Sequence, residues 1–224
     1  MGNQLALTFI YMIAIISLLI FTELIYRRLG FKGEVTRKFA HFTATLSTVT
    51  FPYMFTDHWY VLVMAVFFFM ILYYSKKRTQ LKSIHDITRK SAGSYLLPVA
   101  IYLTFLIAYN MGHRFYFILP ILVLAICDPV AGILGLNIKQ FNHKIILLGH
   151  KFQKTMLGSS SFFISCFLIS LISLYYHRMV FDAKTFWLAF SIAIVGTLVE
   201  LFSWRGTDNL FIPMSVLLML VIFL

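Results

Sequence analysis

Long apolar runs, broken by short charged stretches, set the pattern of this chain. Eight runs stand out, near residues 5–26, 39–56, 58–75, 94–110, 115–136, 158–176, 184–203 and 210–224. A helix needs about 20 mainly apolar residues to cross a bilayer. The pattern therefore predicts an all-α, polytopic integral membrane protein with about eight transmembrane helices. No polar stretch is long enough for a soluble domain, so one domain spanning 1–224 is expected.

The connections sort by charge. Sixteen of the 19 Lys and Arg residues fall in segments 26–38, 76–90, 137–157 and 204–209. The alternate connections hold only Arg114, Arg178 and Lys184. Lys and Arg accumulate in cytosolic loops, so eight crossings with both termini outside are expected. The four basic connections then face the cytosol. The N-terminal run lacks a basic n-region and a cleavage site, and reads as a retained helix. A prokaryotic inner membrane is the expected location.

Composition agrees. Of 224 residues, 60% are hydrophobic, against about 45–50% in soluble domains. The net charge of +11 would point to nucleic acid in a soluble chain. Here the helix-flanking basic residues account for it, and no nucleic-acid partner is expected. Cys127 and Cys166 lie in apolar runs without metal-ligand spacing.

Ionisable groups inside apolar runs are functional candidates by default, and four clusters contain them. "RKFAH" opens the second run; Arg37 and His41 are four apart and share a helix face. Arg37 and Lys38 also read as headgroup anchors. The hydroxyls that follow, Thr43 to Thr50, suggest a helix facing protein or water. "RKSAGSY", from Arg89, combines cations with small residues at a helix start, where backbone N–H groups can receive phosphate. Small residues there also permit close helix packing.

"AICDPVAGILG" places Asp128 before Pro129, which predicts a broken or kinked helix at that point. Gly132 and Gly135 would admit a close neighbour. A polar loop follows, then "KFQKTMLGSS" with Lys151, Lys154, Thr155, Gly158 and Ser159, the ingredients of a phosphate cradle. The Walker A order is absent. In the fourth cluster, "VELFSWRGTDNLFIP", Glu200 sits a turn inside the seventh run, and Asp208 and Asn209 open the eighth. Asp208 could instead cap that helix.

Asp128, Glu200 and Asp208 thus fall at one membrane depth among lysines. Such a set suits a divalent ion plus a polyphosphate, since Mg2+ takes one or two carboxylates and fills its shell with phosphate oxygens and water. Phosphoryl transfer needs mostly positioning and charge stabilisation. A lipid substrate would enter sideways from the bilayer. The 24 Phe residues suit a prenyl or an acyl chain equally.

Taken together, "RKFAH", "RKSAGSY", "CDPVAGILG", "KTMLGSS" and "VELFSWRGTDNLFIP", in that order over about residues 35–215, resemble the polyprenol kinase family of dolichol kinase, phytol kinase and CTP-dependent diacylglycerol kinase. The resemblance implies a CTP-dependent, Mg2+-assisted kinase acting on a lipid alcohol at the cytosolic interface. It implies that Asp128 and Asp208 hold the metal. Lys154, Thr155, Gly158, Ser159, Lys151, Arg89, Arg37 and Asn209 would bind the nucleotide. Asp128, His41 and Glu200 are the candidate catalytic groups, with the general base open among them. A phosphatidate cytidylyltransferase, which transfers CMP, is the alternative. A transporter would need polar groups through the full bilayer depth.

Overall fold

The structure is a computed structural model. It describes residues 2–30, 33–78, 80–85, 91–138, 143–147 and 150–224. Ten helices and one two-stranded ribbon appear among them: α1 (Gly2–Leu29), α2 (Gly33–Thr48), α3 (Phe51–Met54), α4 (His58–Lys77), α5 (Lys82–His85), α6 (Gly93–Asn110), α7 (Phe115–Asn137), β1 (Lys144–Leu147), β2 (His150–Thr155), α8 (Met156–Arg178), α9 (Ala183–Phe202) and α10 (Asp208–Phe223).

The fold is all-α, and the protein is an integral membrane protein. Six of the described helices are long and apolar enough to cross a bilayer: α1, α4, α6, α7, α8 and α9. The other two expected spans differ from the sequence reading. The run at 39–56 is split between α2 and α3. Pro52 in the first turn of α3 has no N–H to extend the ladder of α2 across Val49 and Thr50. The run at 210–224 becomes α10, an apolar helix of 16 residues.

Three helix starts are capped by side chains. Asp57 accepts from Trp59 N–H at 3.2 Å, Thr155 from Gly158 N–H at 3.2 Å and Asp182 from Thr185 N–H at 2.8 Å. Such caps satisfy N–H groups that the helix itself leaves unpaired. Most hydroxyls on α2 bond back to carbonyls of their own helix, among them Thr43, Ser47 and Thr48. Thr36 instead reaches across to Ser83 O at 2.8 Å.

Helix α7 is the central element, packed against α2, α6, α8 and α10. Leu119, Val123 and Leu124 on α7 meet Phe162 on α8, Ile192 on α9 and Val216 on α10 in one buried cluster. A second cluster joins α3, α4, α6 and α7 around Phe51, Phe105 and Phe117. The expected break at Asp128 does not occur; α7 runs unbroken through Pro129. Two side chains of α2 meet α7 ahead of the proline. His41 Nε2 lies 3.2 Å from Leu124 O, and Lys38 Nζ donates to Asp128 O at 3.2 Å.

The polar loop expected after Gly135 contains the antiparallel ribbon β1–β2, in which Lys144 pairs with Thr155. Thr155 ends β2 and caps α8. The ribbon therefore runs straight into the helix.

Candidate active site

Six elements bring their polar residues to one end of the bundle. From α2 come Lys38 and His41, three apart and so on one face. Lys38 is buried, and its Nζ lies 2.5 Å from Asp128 Oδ2 on α7. His41, also buried, lies 3.7 Å from the same oxygen. Room for the lysine comes from Gly132, one turn beyond Asp128. A Cβ there would stand 2.6 Å from Lys38 Cε.

Lys154, near the end of β2, forms the second centre. Its Nζ is 2.6 Å from Glu200 Oε1 on α9 and 3.2 Å from Asp208 Oδ2 on α10. Ser159 on α8 donates to the other Glu200 oxygen at 3.1 Å. Burial opposes the charge on Lys154, but the pull of Asp208, Glu200 and Asp128 exceeds it and holds the ammonium above the usual lysine range. Lys154 is thus a permanent cation. The two centres form one field, because Asp128 also interacts with Lys154 and Asp208 with Lys38.

Asn209 ties this cluster to the start of α6 by donating to Gly93 O at 2.7 Å. The turn before α10 lies backbone to backbone against the same place, with Ala92 N–H on Arg205 O at 2.6 Å. Gly206, at φ +88°, makes the approach possible, because a Cβ there would meet Gly93 N at 2.4 Å.

The sequence-derived set is largely gathered here: Asp128, His41, Lys154, Thr155, Gly158, Ser159, Glu200, Asp208 and Asn209. Some of these residues carry duties that the sequence did not suggest. Thr155 spends its hydroxyl oxygen on the cap, and the N–H of Gly158 is the group it caps. Gly158 also lets α8 close on α7, with Ala131 O 3.1 Å from where a Cβ would be. Asp208 does not cap α10; Thr207 holds that position. Arg37 pairs with Glu34 at 2.7 Å and faces a cavity beside His41. Arg89 and the side chain of Lys151 lie outside the described residues. Lys38 is the residue missed. Its spacing to His41 was the available signal, but a lysine at a helix start reads equally well as a headgroup anchor.

Three buried carboxylates face two lysines here, which leaves one unbalanced negative charge. Among the described residues, no three His, Cys, Asp or Glu groups converge as an all-protein metal cage. The donor set fits a Mg2+ ion bound by one or two carboxylates and completed by phosphate oxygens.

No protein-family model and no solved structure matches the chain. It is similar to a protein named phytol kinase from Synechocystis sp., with 26% identity over 193 residues, 86% of this chain and 81% of the relative's length. The relative's name agrees with the resemblance to the polyprenol kinase family that the motifs carry. The aligned length covers most of the fold. In this chain, the motif residues on α2, α7, β2, α8, α9 and α10 share one buried polar centre.

Proposed function

We propose that the protein is a CTP-dependent kinase that phosphorylates a membrane lipid alcohol. The observation that carries this reading is a cavity of about 100 Å3 between α1, α2, α4 and α6. It is lined by apolar side chains along most of its length and reaches Arg37, His41, Ser94 and Asn209. An apolar shaft with a polar end beside carboxylates and lysines suits a long alcohol with one hydroxyl. The name of the Synechocystis relative, phytol kinase, supports the same substrate class.

In this reading the hydroxyl sits at the polar end of the shaft. His41 lines the shaft and also neighbours Asp128, so this pair receives the alcohol proton. The alcohol oxygen bonds to the γ-phosphorus, the bond from that phosphorus to the β–γ bridging oxygen breaks, and CDP leaves. Lys154 and the Ser159 hydroxyl hold phosphate oxygens, and Lys38 keeps the Asp128 carboxylate in place. Asp128 and Asp208 would hold a Mg2+ ion, and the chemistry it would supply is neutralisation of phosphate charge. The concentration of basic residues in alternate connections supports a cytosolic site and eight crossings, with α2–α3 and α10 as the two short ones.

The test uses the purified full chain with membrane lipid alcohols. Label from γ-labelled CTP should appear in the lipid. Absence of that label, with label arriving from α-labelled CTP, would instead identify a cytidylyltransferase.

A further inference from the structure

We propose that the shaft measures the length of the alcohol and that Phe51 is its floor. This rests on the lipid-alcohol reading above and adds a determinant of specificity. The lining on α2 runs from Arg37 past Ala44 to Thr48, and Phe51 lines the cavity beyond it. On α4 its lining runs from Leu72 to Val61, which at 1.5 Å per residue is roughly 16 Å. Small side chains at Ala40, Ala44 and Ala65 keep the bore open.

Phe51 is a fixed stop. It is only 2% exposed. Its ring meets Tyr11 and Phe55 edge-on, each at 5.2 Å, and stacks on Phe117 at 6.4 Å. A ring braced on three sides does not swing aside. The turn between α2 and α3, which splits the expected second span, puts this ring beneath the end of α2. An alcohol whose hydroxyl reaches His41 must end above Phe51. The bore therefore matches an alcohol of about farnesol length and strains against undecaprenol.

Two variants move the limit in opposite directions. Ala44→Phe fills the bore midway, and Phe51→Ala lowers the floor. The measurement is the ratio of kcat/KM for geranylgeraniol to that for farnesol, with undecaprenol as the long extreme. Ala44→Phe should lower the ratio by at least about tenfold, the scale of a filled apolar subsite. Phe51→Ala should raise the relative rate on undecaprenol. A second readout needs no turnover: a farnesol analogue with a diazirine at its far end, mapped on the wild-type chain by mass spectrometry. Label is expected on Phe51, Val61 or Ile101. Label confined to outward-facing Val63 and Val66, or length ratios unchanged in the folded variants, would overturn the gauge. If the wild type phosphorylates no alcohol yet the label lands on Phe51, the kinase reading falls and the gauge stands.

Discussion

Helices α1 and α7 are close in hydropathy, yet 22% of the apolar window of α1 is buried and 61% of that of α7. Phe9, Ile10 and Ile13 of α1 face outward. In α7 the stretch through Leu119, Ile121, Val123 and Ala125 is fully enclosed. Hydropathy decides that a helix enters the membrane. It does not decide where in the bundle the helix stands, because lipid tails are as apolar as leucine. What separates the two is that α7 carries Asp128, Gly132 and Gly135, which hold a buried lysine and admit close neighbours.

The sharpest test of this contrast removes one charge from the centre of α7. Asp128→Ala leaves Lys38 buried without its carboxylate. It should cost about 3–5 kcal/mol, the scale for breaking a buried pair, and abolish phosphoryl transfer. The double variant Lys38→Met/Asp128→Leu should restore thermal stability in detergent while staying inactive. If the double variant melts as low as the single one, the pair is not what seats α2 on α7.

Gly132→Ala comes next. Its Cβ would press on Lys38 Cε, so a loss of about 1–3 kcal/mol is expected, typical of overpacking, together with a marked fall in kcat. Stability unchanged from wild type would show that the lysine has room to give.

A smaller, pH-dependent effect belongs to the end of α1. There Glu23 Oε2 accepts Ser83 N–H at 2.9 Å and joins α1 to α5. Burial, with the nearby charge of Lys76, lowers His85 to about 4, against a smaller opposing pull from Glu23. The unfolded chain therefore takes up a proton at a pH where the folded chain does not. The stability from neutral His85 is complete above about 6.5 and declines as pH falls toward about 4. Melting curves at pH 7.5 and 5 should show the drop, and His85→Gln should reduce it. The smallest effect is expected from Ile13→Ala on the outer face of α1, within about 0.5 kcal/mol. A large loss there would mean that this face meets protein.

Much of this architecture can be read from the residues. Six spans follow from apolar length alone, and Asp128, Glu200, Asp208 and Lys154 announce themselves as charges within or against apolar runs. Other features depend on partners far away in the chain. Lys38 looks like an anchor until α7 is placed beside it. Pro129 looks like a breaker, yet α7 stays helical through it. The ribbon β1–β2 is short, and "KIIL" and "HKFQKT" do not alternate strictly. Its pairing also carries a register shift, so no period-2 signal was available.

The pair Lys38–Asp128 bridges 90 positions of sequence, and this gives biogenesis a schedule. Synthesis runs from the N-terminus, so α2 leaves the ribosome with its lysine long before α7 delivers the carboxylate. Lys38 lies near the start of α2, so its cost of insertion stays below the about 2.5–3.5 kcal/mol of a lysine at helix centre, and Asp128 offsets it only once α7 is in place. Helix α2 walls one side of the cavity, and its contact with Asp128 cannot form before α7 is made.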